Sequence, residues 1–244
     1  MFDEEFTRKN VVSEIDGTLD WYLVRKGNPA KPLIVYLHGH GSNADQLLHR
    51  NDIVEGLTSF LVEQDYSVIS PNYRGNSWMS EAAQQDLVQI LQTEKKLLNY
   101  HKLLMISGSM GGTANLIFAM RHPELVDGIG VMGAATDLPA YISWLAQQNG
   151  SPILTEICEA IRTAFPTAEA LERNSVCFHS EQLKDLPVVY YHGGADAVIP
   201  VMQARTLAEK MSISSKFIYH EISGGNHDSP LAYRREILQK LLAM

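Results

Sequence analysis

Three short stretches carry side chains whose chemistry can be combined. The first is Ser107-Gly108-Ser109-Met110-Gly111-Gly112, which follows the apolar run Leu103–Ser107 and precedes a helical pattern. A strand turning sharply into a helix pushes the turn side chain outward. It needs small neighbours because the backbones come close. Ser109 at that junction has an exposed hydroxyl beside the free amides of a helix N-terminus. That suits a nucleophile whose product oxyanion needs nearby N–H donors. Taken alone, the stretch reads as a helix-capping serine followed by glycines.

The second stretch is Tyr191-His192-Gly193-Gly194-Ala195-Asp196, where Asp196 leads from a strand end into a helix. By itself Asp196 is as readily a structural N-cap. The third is Ser223-Gly224-Gly225-Asn226-His227-Asp228, a glycine loop after the last strand. Ser109, Asp196 and His227 each follow a predicted strand. Together they supply a nucleophile, an orienting carboxylate and a base. Asp137, also after a predicted strand, is the second choice for the carboxylate. Asp228 adjoins His227, and adjacent side chains point apart. His192 and His220 lie on or near strand runs and read as structural. The loop His38-Gly39-His40-Gly41 follows the strand LIVYL, and the amide of His40 can join that of Met110 as a second oxyanion donor. The His-x-His pair is a poor metal site, since alternate strand residues diverge and no carboxylate ligand is close in sequence. No metal ligand set is assigned and no cofactor is expected.

Short apolar runs rich in Val, Ile and Tyr alternate with amphipathic stretches. They occur at 33–37, 67–70, 103–107, 128–132, 188–191 and 217–222. This alternation predicts an α/β fold with a mostly parallel, doubly wound sheet. A hairpin, with strands at Val11–Ile15 and Thr18–Arg25 around Asp16-Gly17, is expected to add an antiparallel N-terminal edge. Helices are expected at Asp45–Glu63, Ser80–Tyr100, Val201–Met211 and Leu231–Leu242, the second with Ser80 as N-cap. Residues 137–186 intervene between two strands and exceed one crossover helix. They read as a helical, cap-like insertion over the C-terminal edge of the sheet, where open α/β sheets bind ligands. Residues 1–244 are taken as one domain. Tyr73 and Arg74, at a strand end, are placed at the pocket, Arg74 alternatively bracing its loop by a salt bridge. Tyr141, Trp144 and Phe165 either wall the pocket or form the insertion's own core.

The chain has 244 residues, 20 basic and 28 acidic side chains, a net charge of −8 and 45% hydrophobic residues. A net acidic surface argues against nucleic acid or an anionic membrane as partner. Two cysteines, Cys158 and Cys177, form neither a disulfide framework nor a metal spacing, although a single bridge between them is open. The acidic N-terminal stretch is unlike a secretory signal, and no run has the ~20 apolar residues of a membrane span. A cytoplasmic location follows as the expectation, with a small-molecule acyl substrate as partner. Oligomeric state is left open.

The chain resembles the α/β-hydrolase superfamily over nearly its whole length, above all its prolyl-oligopeptidase and dienelactone-hydrolase branches. The resemblance rests on LHGHG at 37–41, PNYRGNS at 71–77, SGSMGG at 107–112, LERNSVCFHSEQLKDLP at 171–187, YHGGADAVIP at 191–200 and GGNHD at 224–228. It departs at Ser107, where the usual motif has glycine two places before the nucleophile. The resemblance implies Ser109 as nucleophile, His227 as general base and Asp196 as its carboxylate partner. The amides of His40 and Met110 would form the oxyanion hole, in a serine hydrolase cleaving small or medium esters. A peptidase or acyltransferase on the same residues is the alternative, with the peptidases' propeller domain absent. A small-molecule-binding relative of the fold is the non-enzymatic one.

Overall fold

The computed structural model describes residues 2–148 and 150–244. Strands β1 (Thr7–Val12), β2 (Leu19–Arg25), β3 (Leu33–Val35), β4 (Val68–Pro71), β5 (Leu103–Gly108), β6 (Gly128–Met132), β7 (Val188–Gly193) and β8 (Phe217–Ile222) form one sheet. Among the described residues it has eight strands in the order β1-β2-β4-β3-β5-β6-β7-β8. All pairs from β4 to β8 are parallel. The β1–β2 and β2–β4 pairs are antiparallel. This is the α/β-hydrolase fold with its antiparallel N-terminal edge.

The helices are α1 (Gln46–His49), α2 (Asn51–Ile53), α3 (Ser59–Glu63), α4 (Glu81–Leu98), α5 (Met110–Arg121), α6 (Leu138–Leu145), α7 (Pro152–Ala164), α8 (Ala168–Arg173), α9 (Met202–Lys210) and α10 (Arg234–Leu242). The sheet divides two cores, as strand alternation requires. On β5, Leu103 and Met105 face α4 and α5, packing with Leu87 and Leu116. Leu104 and Ile106 face the other side, with Leu47, Leu57 and Ile237. Helices α6, α7 and α8 lie between β6 and β7 and pack on the first core through Tyr141, Ile157 and Ile161. Among the described residues no helix is long and apolar enough to cross a membrane.

Several boundaries differ from the sequence expectation. β1 begins at Thr7 and ends at Val12, and the turn widens to residues 13–18, closed by Ser13 N–H to Thr18 O and Gly17 N–H to Ser13 O. Edge position explains the earlier start, because a strand with one solvated side tolerates Arg8, Lys9 and Asn10. The expected helix over 45–63 is broken at Arg50, whose backbone is extended (φ −84°, ψ 110°), and a π turn spans Val54–Thr58. Thr58 Oγ1 donates to the Leu47 carbonyl at 2.6 Å, taking up an acceptor that the break leaves unfilled. Ser80 does precede α4 but makes no side-chain cap bond.

Close backbone approach at the β5–α5 turn is severe at Gly111. A methyl built there would sit 2.2 Å from Leu37 O and 2.9 Å from His38 O, both main chain. Gly111→Ala must therefore displace the loop after β3. We expect a melting temperature lower by on the order of 5 °C or more. Gly56→Ala is the control, since nothing lies within 4 Å of that position. Calorimetric melting of the two variants checks this; equal melting points would mean that the turn has slack.

Candidate active site

Ser109 sits between β5 and α5 with φ 57° and ψ −130°, a conformation that side-chain-bearing residues rarely adopt. The turn is held from both directions. Ser109 N–H donates to Met132 O at 2.8 Å, and Thr113 N–H donates to Ser109 O at 3.0 Å. Ser107, two residues earlier, is fully buried, and its Oγ accepts from Leu37 N–H at 2.8 Å. The departure from glycine is thus used: the hydroxyl ties β5 to the end of β3, where the strand ladder has stopped.

The three sequence-predicted residues meet. Ser109 Oγ lies 2.9 Å from His227 Nε2, and His227 Nδ1 lies 2.7 Å from Asp196 Oδ2. The Asp196 side chain is fully buried, while that of His227 is 20% exposed, so the ring alone opens to solvent. Asp196 Oδ1 accepts from Val198 N–H and Ile199 N–H at 2.8 and 2.9 Å, which fixes the carboxylate's rotation. The loop carrying His227 is pinned as well. Asn226 Oδ1 accepts from Asp228 N–H and Ser229 N–H, and Ala195 N–H donates to Gly225 O. Gly193 lets this loop lie on the end of β7, since a methyl there would meet Asn226 O at 2.2 Å.

A further residue reaches the carboxylate. His192 is completely buried, and its Nε2 lies 3.3 Å from Asp196 Oδ2 and 2.9 Å from Ile199 O. Its Nδ1 is 3.1 Å from Tyr190 Oη. Burial alone would raise the Asp196 carboxyl. The bonds from His192 and His227 outweigh it and hold the group well below the usual carboxylate range. Sequence reading assigns His192 to structure alone; its position four residues before Asp196, at the end of the same strand, was the available signal.

The other expected positions fall as follows. The Met110 amide opens α5, and the His40 amide lies in the loop after β3, between Gly39 N–H, which Gln46 Oε1 accepts, and Gly41 N–H, which Asn76 Oδ1 accepts. Among the described residues neither the His40 nor the Met110 amide donates to another protein group. The His40 ring accepts a hydrogen bond on Nδ1 from Trp78 Nε1–H at 3.3 Å and places Nε2 3.2 Å from Glu156 Oε1 of α7. Burial pushes this imidazole down, in keeping with a neutral ring that accepts on Nδ1. His38 is turned away from the site, its ring nitrogens 2.8 Å from Gly39 O and 3.0 Å from Asn72 O. Among the described residues no cluster of His, Cys, Asp and Glu is arranged to hold a metal.

A cavity of about 210 Å³ opens over Ser109 and His227. One side is apolar, from Ile153 and Ile157 of α7 with Val198 and Leu231. The polar lining comes from Tyr36, Gln46, Arg50, Arg234 and the carboxylate of Asp228. Tyr73 and Trp144 do not line it. The Tyr73 hydroxyl is turned onto His38 O at 2.6 Å, and Trp144 stacks on Tyr141 at 6.0 Å. Arg74 braces its loop through Asp16 and Asp86 at 2.7 and 2.5 Å. Asp137 caps α6 by accepting from Ala140 N–H and takes no part in the Ser109–His227–Asp196 chain. Cys158 and Cys177 are free, buried thiols. A larger cleft of about 630 Å³ lies at the opposite end of the sheet, among Pro32, Lys102, Pro187 and Lys216, where the parallel strands begin.

Sheet order, strand-to-helix turn and family comparison agree on the class: the chain has the α/β-hydrolase fold, and a family model of that description matches residues 32–152. Among individual proteins, it is 29% identical over 144 residues to the uncharacterized hydrolase YcgS of Bacillus subtilis, an alignment covering 58% of this chain and 45% of that one. The chain thus spans less than half the length of the curated relatives it matches. Among solved structures it is similar to an S-formylglutathione hydrolase from Staphylococcus aureus. The TM-score is 0.70 at 14% identity, covering 97% of this chain and 98% of that one. It is also similar to an acylaminoacyl peptidase of Pyrococcus horikoshii. There the TM-score is 0.67 at 14% identity, covering 98% of this chain and 41% of that one.

Proposed function

We propose that the protein is a serine hydrolase that cleaves small or medium carboxylic esters through an acyl-enzyme. The observation that carries this is the unbroken chain from Ser109 Oγ through His227 to Asp196, at 2.9 and 2.7 Å, below an open cavity. Ser109 attacks the acyl carbonyl while His227 Nε2 takes its proton. The same ring then donates that proton to the leaving alcohol. Asp196 holds the Nδ1–H tautomer and stabilises the imidazolium. The amides of Met110 and His40 receive the tetrahedral oxyanion, each such donor contributing about 3 kcal/mol to the transition state. Water, deprotonated by His227, attacks the acyl-enzyme and releases the acid.

A cavity of about 210 Å³ favours small acyl groups, because it is below the range of drug-sized ligand sites. The likeness to the acylaminoacyl peptidase supports peptide cleavage as the second reading. A fluorophosphonate probe tests the nucleophile directly. We expect stoichiometric labelling, mapped by mass spectrometry to Ser109, and turnover of 4-nitrophenyl acetate to octanoate that falls off with chain length. Folded protein that takes no label would overturn the reading in favour of a non-catalytic binding protein. Faster turnover of aminoacyl anilides than of esters would shift it to a peptidase.

A further inference from the structure

The polar wall of the Ser109 cavity has more hydrogen-bond donors than its neighbours use. Arg234 is 2% exposed, so it has to find its partners inside. Its Nη2 donates to Asp52 Oδ2 at 2.9 Å and its Nη1 to Asp52 O at 3.3 Å, but Nε is buried without a partner among the described residues. Arg50 donates through Nε to Asp52 Oδ1 at 2.7 Å and through Nη2 to Asp228 Oδ1 at 3.3 Å; its Nη1 is unused among the described residues. Gln46 Oε1 accepts from both Tyr36 O–H at 2.9 Å and Gly39 N–H at 3.1 Å. That fixes the amide's orientation and leaves its NH2 without a protein acceptor among the described residues.

Both arginines also bear on the buried Tyr36 hydroxyl. Burial pushes it up to about 12, and the two guanidinium groups act the other way. On the acceptor side both Asp52 oxygens are occupied. A second carboxylate on this wall, Asp228, is 68% exposed at the rim and accepts from Arg50 Nη2 through Oδ1. A buried polar atom without a partner costs free energy, and buried groups are nearly always satisfied. Here the unused groups are all N–H donors, so what satisfies them supplies acceptors. The planar fork of arginine fits a carboxylate or a similar oxyanion.

We propose that the Arg50–Arg234–Gln46 wall is an anion subsite, and that the substrates are esters bearing a carboxylate or like oxyanion beside the reacting carbonyl. The anion takes the spare N–H groups of Arg234, Arg50 and Gln46, while the aliphatic part lies against Ile153, Ile157, Val198 and Leu231. Turnover of such an ester rests on the serine-hydrolase reading above; occupancy of the wall does not.

Two matched pairs test this and locate the charge. Monophenyl succinate against phenyl butyrate carries it on the acyl side. The acetyl ester of 4-hydroxyphenylacetate against 4-methylphenyl acetate carries it on the alcohol side. Binding is measured by calorimetry with Ser109→Ala protein, which leaves the ester intact, and kcat/KM with wild type. We expect one anionic ester to bind at least about tenfold more tightly than its neutral partner, an advantage that falls with added salt. Wild type should favour the same ester in kcat/KM. Arg50→Gln should bring both ratios toward unity. Arg235→Gln, a surface arginine stacked on Phe60, should leave them in place.

No preference in either pair, with Ser109 still labelled by fluorophosphonate, would overturn the subsite and leave the hydrolase reading standing. An anion preference in Ser109→Ala, with wild type inert toward every ester and toward the probe, would do the reverse.

Discussion

Ser109→Ala is expected to lose at least about 10⁴-fold in kcat on any ester that wild type turns over, since the residues of such a chain act as a unit. The variant should also lose the fluorophosphonate label completely. Its fold should persist, because the turn is held by main-chain bonds from Ser109 N–H to Met132 O and from Thr113 N–H to Ser109 O, which alanine keeps. The strained backbone at φ 57° stays as well, so the melting temperature should remain near that of wild type. Purified variant and wild type, assayed side by side with a thermal melt, make the comparison. Retained turnover would place the chemistry elsewhere in the cavity.

Asp196→Asn is expected to cost on the order of 10⁴-fold in kcat for a reason visible in the geometry. Asp196 Oδ1 accepts from Val198 N–H and Ile199 N–H. The asparagine oxygen must take that place, and its NH2 then faces His227 Nδ1. The ring is driven into the opposite tautomer, with a proton on Nε2 pointing at Ser109 Oγ instead of a lone pair. His192 Nε2, 3.3 Å from the Asp196 Oδ2 position that the NH2 then occupies, also faces a donor. The same carboxyl makes stability depend on pH. The folded carboxyl lies below its ordinary value, so its contribution is fully present above the unfolded aspartate pKa of about 3.9 and drains away as pH falls below it. Urea midpoints at pH 7 and near pH 3.5 should show wild type losing more stability over that interval than Asp196→Asn. Equal losses would mean that the two histidine bonds contribute nothing to stability.

What could be read from the chain is what depends on local order. Each parallel strand core is a short apolar run, and Ser109, Asp196 and His227 lie just beyond three of them. Once the winding is fixed, those strand ends share one edge of the sheet, so the three side chains meet. The contacts that escaped are those between positions remote in sequence or set by one backbone torsion. Arg50 and Arg234 converge through Asp52 because the helix expected over 45–63 breaks at Arg50, and no periodicity marks that break. Tyr73 is aromatic and at a strand end, as a pocket residue should be, yet its hydroxyl supports the loop carbonyl of His38. Trp144 is drawn into the stack with Tyr141, where a large ring gains more from packing than from lining a small cavity.

Ser107 bears on how such chains are recognised and how they diverge. The loop that carries the His40 amide is tied to the strand before the attacking oxygen by a hydroxyl-to-amide contact, Ser107 Oγ to Leu37 N–H, beside the close packing of Gly111 on Leu37 O. A pattern that demands glycine at this place passes over the chain. Glycine at this place would take away the acceptor of the buried Leu37 amide. Selection at residue 107 would then act on alignment of the oxyanion donors, and so on rate, in a residue that never meets the substrate.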